Sequence, residues 1–127
     1  MRAKRHSHHI AFVLPLPPSI NHQYATVCGR RVLSAAARRY KRDVAALLLG
    51  HRYPARTLHI LTHAPRLSLS LSFFFANNRR DLDGGLKIAQ DAICEAFGIN
   101  DIRIGELHLY KALDRNRPRL EVILAPS

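Results

Sequence analysis

The sequence predicts an α+β fold: a mostly antiparallel sheet with two helices packed on it, in the order β-α-β-β-α-β-β. Two observations carry that expectation. Short apolar runs with a period of two alternate with two longer stretches whose apolar residues repeat at helical spacing. Clusters of Pro, Gly and Asp separate these runs. At 127 residues the chain is long enough for one domain with a real core, and it reads as a single domain over residues 1–127 without repeats or low-complexity stretches.

Residues 1–8 form a basic tail in this reading, and its histidines, His6 and His8 with neighbouring His9, read as solvated rather than metal-binding. Residues 9–16 alternate around Ile10, Phe12 and Leu14, which predicts a strand ended by Pro15, Pro17 and Pro18. The following PPSINHQY reads as a loop stiffened by proline, with Asn21 and Tyr24 as its polar candidates for substrate or for local turn hydrogen bonds. Ser34 suits the N-cap of a helix that runs to Leu49 and stops at Gly50, with Ala37, Tyr40, Val44, Leu47 and Leu48 facing the core. Residues 57–63 are expected as a strand that places His59 and His63 on one face in a structural role. Pro65 marks a turn, and Leu67–Phe75 gives the clearest strand, with Leu67, Leu69, Leu71, Phe73 and Phe75 set against Ser68, Ser70 and Ser72. The second helix spans 84–97 on an apolar stripe of Leu86, Ala89, Ile93, Ala96 and Phe97, and Gly98 stops it. Two strands close the chain, over 102–113 and 119–125, the last with Leu120, Val122 and Leu124 inward.

Charge narrows the function classes. Twenty Lys and Arg face nine Asp and Glu, a net +11, which is above the roughly 2–8 charges that solubility asks of a small domain. Such a balance points to a polyanion, nucleic acid before membrane. Arg30, Arg31, Arg38, Arg39 and Arg42 avoid the core stripe and are candidates to track phosphates, as are Arg79 and Arg80. Basic MRAKR and the apolar run after it mimic a signal peptide, but the run is short, ends in Pro17-Pro18 and lacks a small-residue cleavage site. No stretch is long enough to span a membrane. Cys28 and Cys94 belong to no CxxC pair, so two thiols in a reducing compartment are expected, with a disulfide still open. Walker, zinc-finger and Ser-His-Asp arrangements are absent, and no nucleotide cofactor is expected.

The carboxylates are the informative minority. Six of the nine lie from Asp81 to Glu106. In extended chain Asp81 and Asp83 project to the same side, and two converging carboxylates suit an oxygen-seeking cation such as Mg²⁺. Lys87, one turn after Asp83 if a helix begins between them, would reach the same place; it could instead pair with Asp91 at i+4. Asp83 has a second reading as a helix cap, and Asp101 one as a turn residue; spacing alone leaves both open.

The segment RRDLDGGLK, with Asp101 further on, resembles the signature of the RusA family of Holliday-junction resolvases. There an Arg/Asp-rich D-L-D-N-x-x-K segment opens a helix and a further Asp follows the helix end. PPSINHQY resembles the family's P-P-S-x-N-x-x-Y, and residues 34–40 its helix start, so the resemblance covers nearly the whole chain. It implies that Asp81, Asp83 and Asp101 are catalytic and bind Mg²⁺, and that Lys87 stabilises the transition state. It also implies a homodimer that nicks four-way junction DNA symmetrically in recombination and repair, in the cytoplasm with the nucleoid, of bacterial or phage origin. Two positions depart from the pattern: Gly84 stands where the family usually has Asn, and Asn100 where some relatives carry a second acid. Asp91, Glu95 and Glu106 are candidates for a fourth carboxylate. Two other readings compete: a non-catalytic basic DNA- or RNA-binding protein, and an Mg²⁺-dependent nuclease for another branched DNA.

Overall fold

A computed structural model describes residues 8–19 and 22–127. Four strands, β1 (Ile10–Leu14), β4 (Leu67–Phe75), β5 (Ile104–Leu113) and β6 (Arg119–Pro126), form one sheet. Their order across it is β1-β6-β4-β5. β6 pairs antiparallel with β1 and β4, whereas β4 and β5 run parallel. The sheet is therefore mixed, and the parallel pair needs a crossover, which α3 (Leu86–Phe97) supplies.

One face of the sheet is covered. Ile10, Phe12 and Leu14, the five alternate apolar residues of β4, and Leu120, Val122 and Leu124 are all buried. Helix α1 (Ala35–Leu49) lays Ala37, Tyr40, Val44 and Leu48 into this core, and α3 adds Ile88, Ala89, Ala92 and Ile93. The ring of Phe97 lies 5.8 Å from that of Phe12, seating the end of α3 over β1. Leu47, expected in the core stripe, is instead 41% exposed, since it lies at the rim of the arc that Ala37, Tyr40, Val44 and Leu48 define, beyond Tyr40.

Three expectations are corrected. Residues 57–63 are not a strand but most of a third helix, α2 (Ala55–His63), with Thr57 and Leu61 buried one turn apart. Pro54 precedes its first turn and Pro65 follows its end, and seven residues are too few for apolar spacing to separate a period of two from one of 3.6. His59 and His63 are thus neighbours on a helix, with ring centroids 4.1 Å apart. A hairpin, β2 (Tyr24–Val27) and β3 (Arg30–Leu33), extends what reads as loop. Its two-residue turn puts Cys28 at φ 52° and Gly29 at φ 75°, the left-handed pair that matches strand twist. The order is therefore β-β-β-α-α-β-α-β-β. Finally, α3 begins at Leu86 rather than Gly84, and a 3₁₀ turn (Asp101–Arg103) precedes β5.

The other boundaries hold closely. Ser34 caps α1 by accepting from the Ala37 N–H, Gly50 ends it, and Gly98 at φ 67° ends α3. Cys28 and Cys94 are both free thiols. Among the described residues no helix is long and apolar enough to cross a membrane.

Candidate active site

Most of the acids have structural partners. Lys87 holds Asp91, Lys41 holds Glu95, and Arg119 holds both Asp114 and Glu121. Glu106 meets His108 and the Ser127 hydroxyl. The carboxylates of Asp81, Asp83 and Asp101, together with Asp43 on α1, make no hydrogen bond or ion pair among the described residues. All four are exposed. In a chain with twenty Lys and Arg, acids without a basic partner need a reason.

Asp81 and Asp83 stand on the turn that joins β4 to α3. The Gly84 N–H donates to the Asp81 carbonyl at 3.3 Å and the Leu86 N–H to the Asp83 carbonyl at 3.2 Å. The helix is capped at Gly85 with no side-chain hydrogen bond, so Asp83 is not its cap. What holds the turn comes from the far end of the chain. The Gln23 side-chain amide donates to the Gly84 carbonyl at 2.8 Å and to the Pro18 carbonyl at 2.9 Å. Arg80 donates from Nη2 to the Pro17 carbonyl at 2.7 Å, and its guanidinium lies 5.1 Å from the centre of the Phe75 ring. Burial lowers its pKa, opposed by the neighbouring Tyr40 hydroxyl. That hydroxyl in turn donates to the Pro15 carbonyl, and burial pushes its own pKa up. Lys111 on β5 donates to the Arg80 carbonyl at 2.8 Å.

The two glycines of this turn differ. A Cβ on Gly85 would lie 2.4 Å from Pro17 Cγ, so the proline loop seats directly on the backbone there. A Cβ on Gly84 would meet only the Asp81 carbonyl at an ordinary 3.5 Å, and Gly84 is not in the left-handed region.

Asp101 opens the 3₁₀ turn beyond α3. Asn100 caps that turn through its side chain, accepting from the Ile102 N–H at 3.1 Å. Arg103 anchors it by donating to the Ala64 and Leu61 carbonyls at the end of α2. Asp101 shares a cleft of about 340 Å³ with Lys41, Asp91, Cys94, Glu95, Ile99 and Asn100. Lys87 sits on the first turn of α3 and donates to both Asp91 oxygens at 3.3 Å. The Asp91 hydrogen bond raises its pKa most, the Asp91 charge adds to that, and Asp101 and Tyr24 contribute less. The structure thus brings Lys87 together with Asp91 and within electrostatic reach of Asp101. Cys94, buried on α3, has its thiol pushed up to about 11, first by burial and then by Asp101, Asp91 and Glu95.

The cationic candidates fall into two groups. Arg30 and Arg31 stand exposed on the hairpin, with Arg31 4.1 Å over the Tyr24 ring, and Arg38, Arg39 and Arg42 are exposed along α1. Arg79 is exposed beside the acids, its N–H closing a short turn onto Asn77. Arg80 is half-buried in the contacts described above. Asn21 lies outside the described residues, as does His6.

The donor chemistry fits a hard divalent cation, since Asp81, Asp83 and Asp101 offer oxygen ligands that form no ion pair among the described residues. Among the described residues no three His, Cys, Asp or Glu side chains gather into a metal-holding cluster. Carboxylates with no positive charge between them repel one another, so a cation would be what draws them together. Sequence reasoning missed Gln23, Lys111 and Arg103. All three are polar side chains bonded to main-chain carbonyls distant in sequence, and nothing in their local spacing marks them.

A family model described as endodeoxyribonuclease RusA matches residues 15–125 of the 127. Among curated proteins no relative matches the chain.

Proposed function

The chain belongs to the RusA family of endodeoxyribonucleases, and from that premise we propose that it resolves four-way DNA junctions by Mg²⁺-dependent paired nicks. The observation that carries the reading is the set of exposed carboxylates, Asp81, Asp83 and Asp101, without a hydrogen-bonded or ion-paired partner among the described residues in a chain of net charge +11. These three would hold Mg²⁺, which when bound lowers the pKa of a water and offsets charge on a phosphodiester. Lys87 would set its ammonium against charge that develops on the phosphoryl oxygens, turning from Asp91 as the substrate arrives. Its pairing with Asp91 favours the charged form, so it enters the reaction as a cation.

DNA would be held by Arg30 and Arg31 on the hairpin, by Arg38, Arg39 and Arg42 on α1, and by Arg79 next to the acids; Asn21 is proposed as a further contact. Arg80 belongs to the same basic run, and its place against Pro17 and Phe75 supports the shape of the turn more than a phosphate contact. Two cuts in opposed strands need two sites, which a C2 homodimer supplies. A cytoplasmic, nucleoid-associated protein of bacterial or phage origin fits this activity.

The test is incubation of the chain with a synthetic four-way junction in Mg²⁺ and in EDTA, beside linear duplex and RNA. Paired, Mg²⁺-dependent nicks in the junction alone are expected. Binding without cutting would leave a non-catalytic nucleic-acid binder, and cutting of other branched DNA with the junction intact would move the substrate. Affinity should fall steeply with salt as counterions are released, and a flat dependence would contradict the charge argument.

A further inference from the structure

We propose that Gln23 is a positioning residue of the active site: its amide fixes the turn that carries Asp81 and Asp83. The proposal rests on the nuclease reading above. Both atoms that Gln23 Nε2 reaches, the carbonyls of Pro18 and Gly84, are acceptors only. The nitrogen must therefore face them, and the amide can take one orientation. Neither an ionised carboxylate nor an apolar side chain of the same length could replace that double donor.

The surroundings argue against a mere packing role. Gln23 is 1% exposed, and its buried Oε1 has no donor among the described residues. An unpaired buried acceptor is unfavourable, and an apolar residue would fill the same space without that penalty. What the amide provides instead is a link between segments 61 positions apart. The Gln23 carbonyl also accepts from the N–H of Ser34, the cap of α1, at 2.8 Å. One residue thus joins the proline loop, the start of α1 and the acidic turn.

The joint acts on the acids through one residue. The carbonyl that Gln23 holds belongs to Gly84, the residue after Asp83, and the Gly84 N–H is bonded to the Asp81 carbonyl. Displacing Gly84 moves both acids. Arg80 and Gly85 close the same joint against Pro17 from the other side. Gln23 meets neither carboxylate, so its influence would be on geometry alone.

Gln23→Met, which keeps length and volume but removes the donor, is the decisive variant. In the metal-free full-length chain, exchange of the Gly84 and Leu86 amides, followed by NMR, should quicken about tenfold while β4 and β6 amides keep their rates. The Mg²⁺ concentration for half-maximal junction nicking should rise about tenfold, with junction affinity in EDTA unchanged. If Gln23→Met does not fold, Gln23→Asn retains the donor one methylene short and should give the same contrast in weaker form. Unchanged exchange at Gly84 and Leu86 overturns the proposal. So does acceleration spread evenly through β4 and β6, which would mark Gln23 as an ordinary core residue. A wild-type chain that cuts no junction removes the nuclease reading, and the exchange comparison still decides whether Gln23 holds the turn.

Discussion

The turns at the two ends of α3 carry acids without an ion-paired partner among the described residues, Asp81 and Asp83 on the first and Asp101 on the second, and they are held by different means. The first, residues 80–85, is gripped chiefly from outside: Gln23 reaches in to the Gly84 carbonyl from 61 positions away, and Arg80 donates to the Pro17 carbonyl 63 positions back. The second, residues 98–103, grips outward: Asn100 caps it locally, and Arg103 extends to the end of α2, 39 and 42 positions back. The first would fail if distant segments shifted, the second if its own arginine were lost. The pair teaches that an acid can be free while its backbone is not. Exposed carboxylates on immobilised main chain are what a preorganised ligand set requires.

The strongest way to break the comparison is to remove the acids themselves. Asp81→Asn, Asp83→Asn or Asp101→Asn should reduce Mg²⁺-dependent nicking to background while gel shifts show junction binding intact or tighter. Full activity in Asp101→Asn would take the second turn out of the site. Next comes the helix between them. Lys87→Ala should slow single-turnover cleavage about a hundredfold with a much smaller change in affinity. Equal losses in both would make Lys87 a phosphate anchor.

Stability separates the two turns further. Arg103→Ala strips charged donors from the carbonyls that end α2 and should cost about 1.5–3 kcal/mol in urea unfolding. Gly85→Ala forces a Cβ against Pro17 and should cost about 1–3 kcal/mol. If Arg103→Ala were neutral, the second turn would have some other anchor. The smallest effect is at Gly84, where a side chain has room: Gly84→Asn should raise stability by at most about 0.5–1 kcal/mol and keep nicking. A lowered melting temperature there would mean that both glycines, and not Gly85 alone, are needed for the first turn.

These turns also mark where sequence reading stops. α1, β4 and β6 were legible because each repeats one period long enough and ends on a local signal, as Ser34 and Gly50 do for α1. The Gly98 stop was legible for the same reason. Residues 57–63 misled because a nine-residue helix with two buried side chains offers too few repeats. The hairpin carried a faint signal in Gly29, but Cys28 is an unusual occupant of a left-handed position. The acids themselves stood out by number and spacing against a basic chain. Their support did not, because a glutamine that bonds two carbonyls leaves no mark on its neighbours. The Lys87–Asp91 pair was visible as an i, i+4 spacing, though spacing could not rank it against contact with Asp83.

The placement of β6 has a consequence for synthesis. It is the last strand in the chain, yet it lies between β1 and β4 and hydrogen-bonds to both. Until residues 119–126 have been made, β1 and β4 have no partner to join them. The proline loop that follows β1 and the acidic turn that follows β4 therefore lack a common frame until residues 119–126 emerge. A nascent chain would carry every acid of the proposed site without being able to assemble it, so nicking is expected only once residues 119–126 have been made.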